Sequence, residues 1–265
     1  MECLSLFIFL IQLSLFTMLA ITLHYQSPRI GLAPLLFTIG GMIGLLNLIE
    51  LNSLSIALDF GFTLRPAAHI FVPDSLLIIL MLYVVHGTRS AQIAVLGIIG
   101  VNALVLFTFF FLLAYVNFAS SNTVITGAFT DNTVFNLFFI RGMLASLVAF
   151  MVDMLILIIV YQGTCNYVTW IPKSFIPGIA LLVALWTDSI VFNVVAFLGT
   201  DLFSFTIPSD VLIKSLAALW IAPFVGWYFT RIAPNIPDFL GAEKRPILSI
   251  LFRHGHRDSQ LETLK

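Results

Sequence analysis

Asp188 stands near the middle of the apolar run ALLVALWTDSIVFNVVAFLG, with Trp186, Thr187, Ser189 and Asn193 close by in sequence. An acid, an aromatic surface and hydrogen-bonding groups at one depth can hold a flat polar molecule by hydrogen bonds and stacking. The same acid could instead close an interhelical link with an arginine or lysine, or exchange a proton or ion. The residues alone leave these three roles open. Arg141, in FNLFFIRGMLAS, and Asp153, in VAFMVDMLILII, lie in a second apolar run. An ionised side chain near mid-bilayer costs about 3 kcal/mol on insertion scales, so such residues face a bundle interior or a hydrated cavity. Arg141 and Asp153 do not pair with each other, because their spacing on one helix amounts to about 18 Å and about 120° of rotation. Each needs a partner on another helix, and for Arg141 ligand binding and structural pairing are both open.

Seven further polar residues sit in or beside apolar runs. Lys214 opens the last run and reads as snorkelling to the interface, with a ligand contact as the alternative. Asn102 and Asn47 carry amides that can read the donor and acceptor edge of a heterocycle, or be satisfied by a neighbouring helix. Asp74 follows Pro73 inside a run and is balanced between site and structure, while Glu50 ends another run and reads as interfacial. His69 and His86 flank one run near opposite surfaces, which argues against a shared metal. With no H-E-x-x-H pattern, no paired cysteines and no compact carboxylate cluster, neither a metal nor another cofactor is expected. Cys3 and Cys165 fall toward opposite faces and read as unpaired.

These residues need elements that hold them in lipid. Of 265 residues 60% are hydrophobic and only 9% charged, whereas a soluble surface takes roughly a quarter of its residues charged. The fold class is therefore all-α, a polytopic membrane helix bundle whose first partners are lipids. A formal net charge of -1 supplies no basic field for a phosphate backbone, so nucleic acid is excluded as a partner. Spanning the hydrocarbon takes about 20 apolar residues in a helix. Seven stretches qualify: Cys3 to Leu23, Gly31 to Leu51, Ala67 to Val85, Ala91 to Phe118, Val134 to Tyr161, Phe175 to Gly199 and Val211 to Thr230. Pro73 and Pro223 interrupt the third and the seventh. The glycines of GGMIG at 40 to 44, with Gly97 and Gly100, read as points of close helix approach.

Seven spans place Arg29, Arg89, Lys173, Arg231, Lys244, Arg245, Arg253, Arg257 and Lys265 on one side and only Arg65 on the other. Basic residues concentrate in cytoplasmic loops, so the amino terminus is expected outside and the carboxyl terminus in the cytoplasm. Residues 1–230 form the transmembrane helical domain and residues 231–265 a short cytoplasmic tail. Pro234, Pro237 and Pro246 break any long helix in that tail, and Ile247 to Phe252 can lie at the interface.

Four segments taken together carry a resemblance: HGTRSAQIAVLGIIGVNAL, IRGMLASLVAFMVDMLI, WTDSIVFNVVAFLG, and Lys214 ahead of Pro223. In order and separation, over roughly residues 70 to 225, the chain resembles the vitamin uptake transporters that include queuosine-precursor carriers. The resemblance implies a compact helical bundle whose polar interior receives a purine-like base such as 7-cyano-7-deazaguanine. On the matching segments it nominates Asn102, Arg141, Asp153, Asp188 and Lys214 for the ligand; Trp186 and Asn193 join them from their place around Asp188. The expected function is uptake of a small heterocyclic nutrient. The alternative from another class is a ligand-sensing module, which leaves a signalling partner or a second copy of the chain open. An intramembrane enzyme is the minor reading, since no G-x-S-x-G or hydroxyl–base constellation occurs.

Overall fold

A computed structural model describes residues 2–51, 56–57, 63–118, 133–168, 170–199 and 203–235. It is an all-helical bundle: α1 Glu2–Ile30, α2 Ala33–Leu51, α3 Pro66–His86, α4 Thr88–Phe118, α5 Thr133–Tyr167, α6 Ile176–Phe197 and α7 Phe203–Trp227. Each of the seven expected spans is a helix. Six are long and apolar enough to cross a membrane, and α2, at 19 residues, is the shortest. The protein is a multi-pass membrane protein. The expected tail and the connection from Ala119 to Thr133 fall almost wholly outside the described residues.

Helix ends were harder to place than helix centres. α1 runs on to Ile30 and stops where Gly31 takes φ 78° and donates its N–H to the Ser27 carbonyl. α3 stops in the same way at Gly87, with φ 84° and a bond to the Tyr83 carbonyl. An L-residue reaches that left-handed region only with strain, so glycine at these two positions ends the helices cleanly. α7 starts at Phe203, eight residues before the expected Val211, and continues through Pro208 and Pro223. α3 likewise continues through Pro73. Proline interrupts neither helix, because packed neighbours hold the axis where one backbone bond is missing. Beyond α7 the chain widens into a π-helical turn, Tyr228–Ile232, then a 3₁₀ turn, Ala233–Asn235. Between α2 and α3 lies a short antiparallel pair, β1 Ile56–Ala57 with β2 Thr63–Leu64, which seats against α7.

α3 is the axis of the bundle. All its residues from Ala67 to Val85 except Ala68 are buried, and it packs against each of the other six helices. α6 packs most extensively with α5 and α7. The close approaches arise at Gly178 and Gly226, where a Cβ would sit 2.9 Å from the Ala222 Cβ and 2.8 Å from the Ser174 carbonyl oxygen. A Cβ at Gly41, Gly44, Gly97 or Gly100 would meet nothing within 4 Å, so the expected approach at GGMIG reduces to Gly40, where a Cβ would sit 3.7 Å from a Val101 methyl. Tight α6–α7 packing then fixes which side chains meet between them.

Candidate functional site

Four helices bring five ionisable side chains together in the interior. His69 on α3 meets Asp210 on α7, Nε2 to Oδ1 at 2.8 Å. The other oxygen of Asp210 accepts from Lys214 Nζ at 2.7 Å, one turn along the same helix. Lys214 also donates to Asp188 of α6. Asp153 of α5 stands against Asp188, carboxyl to carboxyl, in the field of Lys214, and no N–H or O–H of another residue donates to its oxygens. Lys214 is only 2% exposed, and the four other residues are buried as well.

Local structure explains each placement. His69 Nδ1 accepts the backbone N–H of Arg65 at 3.1 Å, which leaves Nε2 as the nitrogen that carries hydrogen toward Asp210. Asp210 and Lys214 are four residues apart and share a face of α7. Lys214 therefore does not snorkel to the interface as expected; its place is inside α7, held by carboxylates on two helices. Three carboxyl groups thus face one ammonium, and the site holds more acceptors than its own donors fill. Breaking a buried pair by removing one partner leaves a charge uncompensated, which gives this network a structural share whatever else it does.

The expected site residues divide. Asp153, Asp188 and Lys214 come together. Asn193 is buried on the same helix as Asp188 and donates to the Ser189 carbonyl at 2.6 Å. Trp186 turns away, 43% exposed, with its indole N–H on Ser215 Oγ at 2.7 Å. Two residues along a helix is about 200° of rotation, so Trp186 and Asp188 share a depth but not a face. Arg141 does not neutralise either aspartate. Its Nε donates to the Val195 carbonyl at 3.0 Å and an Nη to the Leu198 carbonyl at 2.6 Å, closing the end of α6. A cation there meets the negative pole of the helix and carbonyls that have no intrahelical donor. Asn102 lies between α2 and α4, where it accepts from Asn47 at 3.0 Å and donates to the Ile98 carbonyl at 3.1 Å.

Two members were missed. Asp210 fell outside the span expected to begin at Val211, although its spacing from Lys214 is the signal that could have found it. His69 read as a surface residue, but it is 1% exposed. Nothing in the sequence tells which helix lies opposite it. Among the described residues no three His, Cys, Asp or Glu side chains are grouped to hold a metal ion.

Residues 16–229 match the model of a family described as Vitamin uptake-like sensor. The chain belongs to this family. No curated protein and no solved structure matches it. The matched stretch contains the whole five-residue network, from His69 to Lys214. A member of this family is a transporter-like or sensing membrane module, which agrees with a polar centre enclosed by apolar helices.

Proposed function

We propose that the chain is a ligand-sensing membrane module whose ligand is a small nitrogen heterocycle, with 7-cyano-7-deazaguanine the specific candidate. One observation carries this reading: Asp153 ends a chain of bonded charged groups with both of its oxygens buried beside the Asp188 carboxyl and reached by no donor of the protein. A carboxylate only accepts, and two adjacent N–H donors on a planar ring match its two oxygens as a bidentate pair. A ring N–H beside an exocyclic amine has that form. Exclusion of water makes both the bonds and the penalty for leaving them unmade larger, which favours donor-edged rings over isosteres lacking the donors. Asp188, held by Lys214, sits beside this acceptor. The ligand is bound and released without chemical change, and sensing consists of favouring one packing of α5 against α6 and α7.

Uptake is the second reading, favoured by the resemblance of the fourth to sixth spans to queuosine-precursor carriers. It needs the same site to open alternately to the two sides. For either reading we place the amino terminus outside, on the distribution of basic residues. In a chain with Cys3→Ser and Cys165→Ser, an added Gln260→Cys should resist impermeant thiol label in intact cells and an added Asn122→Cys should react; the opposite pattern reverses the orientation.

The functional test uses the purified full chain with 7-cyano-7-deazaguanine, guanine and a vitamin panel. The deazaguanine should bind, and Asp153→Asn should weaken it by about tenfold or more, equivalent to about 1.4 kcal/mol. Labelled compound should not accumulate in liposomes carrying the protein. Accumulation competed by unlabelled compound would move the assignment to uptake, and absence of binding by every compound would reject the heterocycle.

A further inference from the structure

Asp74 is fully buried on α3 and takes no part in the network around Lys214. Its Oδ1 accepts from the Thr17 hydroxyl of α1 at 2.7 Å, and its Oδ2 has no partner. The next residue, Ser75, is also fully buried and its Oγ has no partner either. Thr17 is the one side chain that bears on the Asp74 carboxyl; no cationic group faces it among the described residues. Just before it, Pro73 has no N–H to offer the His69 carbonyl four residues back. One turn and a half of α3 therefore carries a carboxylate oxygen and a hydroxyl without protein partners and a main-chain carbonyl without its i+4 donor, beside a Thr17 oxygen that retains lone pairs. An ionised carboxylate buried this way needs compensation, which a cation held by neighbouring oxygens would supply.

We propose that Asp74, Ser75 and Thr17 hold a sodium ion between α1 and α3. The donor set is all oxygen, which suits a hard cation and not zinc or copper. A single carboxylate neutralises one positive charge, so a divalent ion would leave an unbalanced charge in low dielectric. Asp74 follows His69 by five residues on a helix whose backbone bonding is interrupted between them, so an ion here steadies the segment that carries His69 into the network. The proposal stands apart from the identity of the organic ligand and needs none for its test.

Unfolding midpoints of the purified full chain are measured as sodium chloride replaces N-methyl-D-glucamine chloride at constant ionic strength, with potassium chloride in parallel and at several pH values. Anything that binds the folded state alone raises its stability with the logarithm of concentration. The midpoint should rise with sodium and not with potassium. Asp74→Asn should abolish the rise, and Asp153→Asn should keep it. Thr17→Val and Ser75→Ala, which retain the carboxylate, should each raise the half-effective sodium concentration about tenfold, the loss of one oxygen contact. They keep the test decisive if Asp74→Asn fails to fold. A midpoint that responds equally to sodium and potassium overturns the site. So does one that rises on acidification in N-methyl-D-glucamine and ignores sodium, which would make the proton the occupant.

Discussion

Two of the polar contacts that join helices in this bundle differ in what they leave over. Between α2 and α4, Asn47 donates to Asn102 and to its own Ile43 carbonyl at 3.0 Å, while Asn102 donates to its own Ile98 carbonyl. Each amide bonds both along its own helix and across to the other. Between α3, α5, α6 and α7 the bonded chain from His69 through Asp210 and Lys214 reaches Asp188 and then stops short of Asp153. Both groups are buried and both join helices. The difference teaches that burial of a polar residue in lipid marks a contact, whereas an excess of acceptors over donors is what sets the proposed site apart from such a contact.

The comparison breaks most visibly at Lys214. Lys214→Met should cost about 3–5 kcal/mol of stability, because it leaves Asp188 and Asp210 buried without their cation. Unfolding of the purified protein in a denaturing detergent series reads this. Adding Asp188→Asn and Asp210→Asn to Lys214→Met should recover most of the loss, since an uncharged core of similar volume removes the unpaired charges. A Lys214→Met protein as stable as the parent would mean that the network contributes nothing to folding.

Arg141 comes next. Arg141→Ala removes two bonds to the carbonyls that end α6 and a cation from the negative pole of that helix, and should cost about 1–2 kcal/mol. Arg141→Lys keeps the charge and loses the two-pronged geometry, so it should fall between the two. Ligand affinity at the network should change little in either, because Asp188 lies about 10 Å along α6 from Val195 and about 15 Å from Leu198. A large loss of affinity with unchanged stability would return Arg141 to the ligand, as its position in the sequence first suggested.

How far this arrangement could be read in advance follows from what a linear sequence encodes. Apolar length marks each helix, and the rotation between Arg141 and Asp153 ruled out their pairing. Rotation also argued against joining Trp186 to Asp188, yet nearness in sequence placed them together. What lies across from a residue is a property of packing. Gly178 against Ala222 and Gly226 against Ser174 set the α6–α7 contact that brings Lys214 to Asp188. Neither glycine stands out in a chain with 16 of them. Asp210 was hidden because a span drawn from hydropathy ends where the first charge appears, even when that charge is paired and inside; His69 fell within its span, but near its end, where nothing showed which helix faced it. The two-residue strands and the π-helical turn after Trp227 carry no periodic signal long enough to register.

The smallest effect belongs to the closed contact. Asn102→Ala should lower stability by about 0.6 kcal/mol and at most about 1.7 kcal/mol, the span measured for hydrogen bonds between membrane helices, whose unfolded partners also find other bonds. Asn47 would retain its bond to the Ile43 carbonyl, so the loss is one interhelical bond and not a stranded group. Affinity for any ligand of the Asp153 site should stay within about twofold, a difference of about 0.4 kcal/mol. The paired variant Asn47→Ala with Asn102→Ala sharpens the result. If the two amides serve only each other, the double change costs less than the sum of the singles by the energy of their shared bond. If Asn102 also reads the ligand, Asn102→Ala weakens binding far more than Asn47→Ala does, and the contact between α2 and α4 is then part of the site.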